Sequence, residues 1–166
     1  ARKPQTLSID WEGSFLDYGS LSHVNRELTR QLGRQPRLQV TGINTSPAEN
    51  IPASLNDVAR RVRTKPSPKT QITVRHAWPP NWDCPAQGAW IAMQPWEFGV
   101  LPAAWAERAG TADEIWVYSE YVRRVYVDSG VDPAKVKIVP LGIDPDRFHP
   151  NAQRCACRRA SVSNSS

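Results

Sequence analysis

Two neighbouring side chains, Trp96 and Glu97, are of the types that recognise carbohydrate. An indole ring can stack on the face of a sugar, and a carboxylate accepts hydrogen bonds from sugar hydroxyls. Both residues follow an apolar run that ends at Gln94 and predicts a strand. The pair is equally consistent with a surface glutamate beside a core tryptophan, so both interpretations stay open.

A second candidate is a glycine-containing loop that precedes a predicted helix. Gly13 and Gly19 flank this loop, and Ser20 stands at the start of the helix. Backbone amides at a helix N-terminus can hold an anion, because unpaired N–H groups and the helix dipole point towards it. The two residues are equally consistent with ordinary turn glycines. Their spacing does not give Gly-x-Gly-x-x-Gly, which argues against a dinucleotide-binding dehydrogenase.

His76 is the third candidate, because it ends a predicted strand beside Trp78 and Trp82. Its imidazole could contact hydroxyl groups of a bound acceptor. A histidine that satisfies a strand end is an equally good interpretation. The sequence identifies no catalytic residue, since spacing alone brings no nucleophile and base together.

The sequence predicts neither a metal site nor a cofactor. Cys155 and Cys157 could ligate a soft metal, but no second Cys or His pair stands at matching spacing. With Cys84, the three cysteines do not make a disulfide framework. Asp144 and Asp146 match Asp-x-Asp, which holds a divalent metal in another transferase fold. Here Pro145 separates them, and Asp with Pro favours a turn.

The elements that must position these candidates alternate between strand and helix. Leu21, Val24, Leu28 and Leu32 recur at helical spacing, with Ser20 or Ser22 as the expected cap and Gly33 as the expected end. Helices are also predicted over 53–63, 101–109 and 120–129, the last capped by Ser119. Strands are predicted over 6–11, 37–43, 71–76, 89–94, 114–118 and 136–139.

This alternation predicts an α/β fold with a single Rossmann-like domain over residues 1–150, its mostly parallel sheet flanked by helices. Ligands in such folds bind at the carboxyl ends of the strands. Residues 151–166 have no apolar periodicity and many small polar side chains, so they are expected to form a disordered tail.

Charge and hydropathy favour a cytoplasmic protein without a nucleic-acid partner. The chain of 166 residues has a net charge of +5, and Arg154, Arg158 and Arg159 of the tail supply +3 of it. Residues 1–150 hold 18 basic and 16 acidic side chains, a balance that leaves no electrostatic footprint for nucleic acid. No apolar run approaches the roughly 18 residues that a membrane helix needs, and no secretory signal is visible.

Four motifs carry a family resemblance. Residues 138–150 (IVPLGIDPDRFHP) resemble the segment that closes the first domain of retaining GT-B glycosyltransferases (glycosyltransferase family 4, group 1). Residues 112–121 (ADEIWVYSEY) are similar to the family's Ala-Asp-x-Ile strand and Ser-capped helix. Residues 94–97 (QPWE) resemble a subgroup with a Trp-Glu pair, and residues 19–32 resemble the family's first loop and helix.

The resemblance implies that the chain is the N-terminal half of a two-domain GT-B architecture and holds the acceptor, a saccharide or a glycosylated molecule. A second domain with Glu-x7-Glu would hold the nucleotide-sugar donor, with the loop around Gly19 near its diphosphate. Many members place a histidine where this chain has Gln94, Trp96 and Glu97. Nothing after Pro150 can form the second domain, so the chain alone is expected to be inactive and to self-associate through the exposed interdomain face. The alternative is a non-enzymatic sugar- or protein-binding module.

Overall fold

Six strands form one sheet in the computed structural model, which describes residues 6–47, 50–146 and 148–150. The predicted tail, with Cys155 and Cys157, lies outside the described residues. Every neighbouring pair of strands is parallel, where the sequence predicted a mostly parallel sheet. The strands are β1 (Leu7–Gly13), β2 (Leu38–Asn44), β3 (Ile72–His76), β4 (Ala89–Met93), β5 (Glu114–Val117) and β6 (Val136–Ile138). Their order across the sheet is β2-β1-β3-β4-β5-β6.

The first strand is longer than the sequence predicted. β1 continues past Trp11 through Glu12 and Gly13, which were expected to begin a loop. The reason is that β1 is paired on both sides: Gly13 is in register with Asn44 of β2 and with His76 of β3. Backbone groups that have partners on both sides keep the chain extended.

Four α-helices accompany the sheet: α1 (Ser20–Leu32), α2 (Asn56–Ala59), α3 (Ala103–Ala109) and α4 (Glu120–Asp128). The helix predicted over 53–63 is wrong in extent, because only a 3-10 turn (Ala53–Leu55) and α2 form there. The chain then runs along the edge of β2, where Arg63 exchanges backbone hydrogen bonds with Gly42 and Asn44 at 2.8 Å each. Backbone groups of this segment pair with the open edge of β2, so the segment does not continue as a helix.

The helix caps agree with the sequence in two cases of three. Ser119 caps α4 as predicted, since its hydroxyl accepts the Val122 N–H at 3.3 Å. Gly33 ends α1 as predicted. The cap expected from Ser20 or Ser22 at the start of α1 is wrong: the cap residue is Gly19, which makes no side-chain cap bond. The Ser22 hydroxyl instead bonds the Asp17 carboxylate at 2.7 Å.

Each face of the sheet buries its own apolar core. Ile91 and Met93 of β4 point to the face that α1 covers, whereas Trp90 and Ala92 point to the face that α3 and α4 cover. Successive side chains of a strand alternate between faces, so a strand buried on both sides is apolar at nearly every position. The chain is therefore a Rossmann-like α/β domain. Among the described residues, no helix has the length and apolar character that crossing a membrane requires.

The order of the strands places a topological switch point between β1 and β3. From β1 the chain moves outward to β2, and from β3 it moves the opposite way through β4 to β6. Loops at the carboxyl ends of two such strands diverge and leave a crevice, which is where open α/β sheets bind ligands. The closest packing at this point involves Gly13, because a Cβ there would lie 2.3 Å from the His76 carbonyl oxygen and 2.4 Å from Asn25 Nδ2.

Replacement of Gly13 by alanine should therefore destabilise the fold. The added methyl group would overlap backbone on one side and a buried amide on the other, and overpacking of this kind costs about 1 to 3 kcal/mol. The free energy of unfolding is measured by urea denaturation.

Gly99→Ala is the matched control, because a Cβ at Gly99 meets nothing within 4 Å. Equal stability of the two variants would show that the packing around Gly13 is looser than described.

Candidate functional site

A cleft of about 540 Å³ opens at the carboxyl edge of the sheet. Its walls come from the N-terminal turn of α1, from the segments that follow β3, β4, β5 and β6, and from α4. The residues that line it are Ser20, Leu21, Val24, Trp78, Pro95, Trp96, Glu97, Phe98, Tyr118, Val122 and Leu141. A cleft of this size accommodates a small organic ligand.

Aromatic rings form one wall of the cleft. Trp96 is at the centre, with its ring centroid 6.4 Å from that of Trp78, 5.3 Å from that of Phe98 and 5.5 Å from that of Trp105. The Trp78 side chain is 51% exposed and the Phe98 side chain 64% exposed. Tilted and edge-to-face contacts with neighbours hold the rings in place.

The loop that carries Trp78 is anchored by a buried ion pair. Arg75 Nε donates to Glu12 Oε2 at 2.7 Å, with both side chains nearly buried. One terminal nitrogen of the same guanidinium donates to the backbone carbonyls of Asn81 and Asp83, at 2.9 and 2.5 Å. Because the guanidinium is a planar fork of donors, it ties this loop to β1 and β3 at once.

A fully buried amide, Asn25 of α1, joins the strands beneath the cleft. Its Nδ2 donates to the carbonyl oxygens of Ser14 and His76, at 2.9 and 3.1 Å. Its Oδ1 accepts from Trp11 Nε1 at 2.8 Å and lies 2.6 Å from His76 Nδ1. The amide thus makes four hydrogen bonds, which is its full capacity.

These bonds determine the tautomer of His76. Carbonyl oxygens only accept and an indole N–H only donates, so the orientation of the Asn25 amide is fixed. Asn25 Oδ1 then requires a hydrogen on His76 Nδ1. In a neutral ring, Nε2 is left with a lone pair, and this lone pair accepts the hydrogen of the Tyr118 hydroxyl.

Burial keeps both partners of this last bond uncharged. It lowers the pKa of His76 from 6.5 to about 4 and raises the pKa of Tyr118 from 10.0 to about 12. A low-dielectric environment disfavours the charged form of each group. At neutral pH, the phenol of Tyr118 in the cleft wall is therefore neutral and is bonded to a neutral imidazole behind it.

The N-terminus of α1 already holds a carboxylate of the chain itself. Asp17 accepts the backbone N–H of Gly19 at 2.6 Å through Oδ1 and bonds the Ser22 hydroxyl through Oδ2 at 2.7 Å. Arg26 supports the loop by donating to the carbonyls of Phe15 and Asp17, each at 2.7 Å. A negative charge thus stands where the helix dipole favours one.

The candidates from the sequence divide between the cleft wall and the layer beneath it. Ser20, Trp96 and Glu97 line the cleft. His76 and Gln94 are buried behind the wall. Gln94 Nε2 donates to the Ala77 carbonyl at 3.2 Å, and its Oε1 has no hydrogen-bond partner within the described residues.

The two candidate glycines also lie off the wall. Gly13 packs against Asn25 and the His76 carbonyl, and Gly19 caps α1.

Several site residues were not singled out from the sequence, among them Asp17, Asn25 and Tyr118. Asn25 gave a signal, because a polar residue follows Val24 directly and lies four positions after Leu21 on the apolar side of the helix. Tyr118 follows an apolar strand directly, and nothing near it in the sequence indicated a hydrogen-bond partner for its hydroxyl. Asp17 was one of several polar loop residues.

The residues considered for metal binding do not assemble a site in the described part of the chain. No three His, Cys, Asp or Glu side chains come together there in a geometry that could hold a metal ion. Asp144 Oδ1 accepts the backbone N–H of Asp146 at 3.0 Å, so the Asp-Pro-Asp segment forms the turn that the sequence predicted.

Comparison with protein-family models and with curated proteins gave no significant match.

The free energy of unfolding should decrease as the pH is lowered, because His76 is buried in its neutral form. Its pKa is about 4 in the folded state and 6.5 in the unfolded chain, so between these values the unfolded chain binds a proton that the folded state does not. The stability is therefore unaffected by His76 above pH 6.5. It decreases as the pH falls from 6.5 towards 4, by about 3 kcal/mol in total. Urea denaturation at several pH values measures it.

The comparison variant is His76→Gln, which should show a flatter pH dependence than the wild type. His23→Gln removes an exposed histidine of α1 and controls for the loss of an imidazole ring elsewhere in the chain. The same pH slope in wild type and His76→Gln would contradict the buried neutral imidazole.

Proposed function

We propose that this chain is the acceptor-side domain of a retaining GT-B glycosyltransferase and that its cleft binds the saccharide acceptor. The observation that carries the proposal is the position of Trp96 and Glu97. These residues belong to one of the four motifs that resemble the family, and both line the cleft at the carboxyl edge of the sheet. Parallel α/β folds bind their ligands at this edge.

The cleft has the chemistry that a saccharide needs. A sugar ring has apolar C–H faces and a rim of hydroxyls, so it matches an aromatic wall with a few polar groups. Trp96 and Trp78 offer ring faces to the apolar side, and Glu97 accepts hydrogen bonds from the hydroxyls. A charged acceptor makes hydrogen bonds about twice as strong as a neutral one.

In the intact transferase, this domain would position the acceptor rather than activate the donor. A second domain would hold the nucleotide-sugar across the cleft. The gain in rate would come from orientation of the two substrates and from exclusion of water when the domains close. The apolar side chains of Phe98, Val100 and Tyr121 are 64%, 76% and 51% exposed at this edge, and a facing domain would cover them.

The same exposed side chains favour a second candidate, a binding module that holds a saccharide or a protein without transferring sugar. Another protein, or a second copy of the chain, would then cover the apolar edge. The two candidates share the cleft and differ in whether a donor domain accompanies it.

The coding sequence downstream of the codon for Pro150, read in all three frames, separates these candidates. The transferase predicts a second Rossmann-like domain with Glu-x7-Glu in one frame. If no frame contains such a domain, the binding module becomes the better account.

Glu97→Gln should weaken saccharide binding roughly tenfold, because a hydrogen bond to a charged group contributes about 1.5 to 3 kcal/mol and the amide keeps only part of it. Intrinsic tryptophan fluorescence is followed during titration with neutral mono- and disaccharides.

Glu107→Gln makes the same chemical change on the exposed surface of α3 and should bind as the wild type does. Failure of every saccharide to bind, or equal loss in the two variants, would contradict a carbohydrate site at Glu97.

A further inference from the structure

The hydroxyl of Tyr118 has a fixed direction of hydrogen bonding. The Asn25 amide determines the His76 tautomer, and His76 Nε2 takes the one hydrogen that the phenol carries. The phenol oxygen is left with lone pairs only. Tyr118 lines the cleft, so a ligand group that reaches its phenol oxygen meets a hydrogen-bond acceptor.

The charged side chain that lines the cleft is also a hydrogen-bond acceptor. Among the described residues that line it, Glu97 is the only one with a charged side chain, and no lysine, arginine or histidine is present. Two helix N-termini adjoin the cleft, and each has a partner within the chain. At α1, Asp17 accepts the Gly19 N–H and bonds the Ser22 hydroxyl. At α4, the Ser119 hydroxyl accepts the Val122 N–H. Nothing in this set of lining side chains would neutralise a ligand phosphate.

We propose that the cleft selects ligands that donate hydrogen bonds and carry no negative charge, and that the Tyr118 oxygen is the acceptor that recognises one ligand hydroxyl. This inference rests on the proposed saccharide-binding function and narrows the acceptor to an unphosphorylated sugar. Tyr118 is the specificity-determining residue, and His76 and Asn25 are positioning residues that act through it.

The preference for a hydroxyl over a phosphate follows from the hydrogen-bonding groups that each ligand would leave without a partner. A hydroxyl can give its hydrogen to the Tyr118 oxygen. A phosphate at the same place brings further lone pairs and negative charge against the phenol oxygen and the Glu97 carboxylate. Acceptors that face each other give up hydration without a compensating hydrogen bond, and repulsion of this kind is how sites reject near-analogues.

The first test measures the tautomer directly. Nitrogen-15 NMR of the histidine-labelled chain should show His76 protonated at Nδ1 and unprotonated at Nε2. Protonation at Nε2 would reverse the last hydrogen bond, turn the Tyr118 hydroxyl into a donor towards the cleft and overturn the inference, whatever the cleft binds.

The second test uses paired ligands: glucose, mannose and N-acetylglucosamine with their 6-phosphates, titrated at millimolar concentrations and followed by NMR of the indole N–H groups. The neutral sugar that binds should bind at least roughly tenfold more tightly than its phosphate. Tyr118→Phe should weaken its binding roughly three- to tenfold, the value of one neutral hydrogen bond.

Tyr18→Phe is the matched control, because it removes an exposed phenol that bonds Ser54 and leaves the lining of the cleft intact. Tighter binding of the phosphate, or equal affinity of Tyr118→Phe and the control, would overturn the inference while a bound sugar still supports the proposed function. If none of the sugars or phosphates binds, the proposed function fails, and the sugar specificity inferred from it fails as well.

Discussion

The Asn25 amide is the interaction on which the site depends. It lies fully buried between α1, β1 and β3 and uses every donor and acceptor that it has. Loss of this amide would leave an indole, an imidazole and two carbonyls without partners in a low-dielectric interior, where each unpaired group costs about 1 to 3 kcal/mol. Gly13 makes room for the amide, because any Cβ would occupy its place. The amide thus couples the packing of the switch point to the hydrogen-bond direction of His76 and Tyr118.

The fold could be predicted because its signals are local. Strands buried on both faces are short apolar runs, and α1 repeats leucine and valine on one face, so element types follow from a few neighbouring residues. Errors arose where a tertiary partner competed with local preference. The chain after Ala59 pairs with the edge of β2 rather than completing a helix, and Ser22 bonds Asp17 rather than capping α1.

The site could be predicted only in part, for the same reason. Trp96, Glu97 and Ser20 follow strands or begin a helix at the carboxyl edge, so topology alone brings them to the cleft. Convergence of Asn25, His76 and Tyr118 is different, because 51 residues separate the first two and 42 the last two. No spacing rule links them. The position of His76 was visible in the sequence, but its neutral state and its tautomer are consequences of burial and of partners that only the fold supplies.

The most direct test of the account is a crystal structure of the chain with a neutral saccharide that it binds. The account predicts a sugar ring against the face of Trp96, hydroxyls within hydrogen-bond distance of Glu97, and one hydroxyl donating to the Tyr118 oxygen. A sugar bound away from the carboxyl edge of the sheet, or a cleft that remains empty at saturating saccharide, would contradict it.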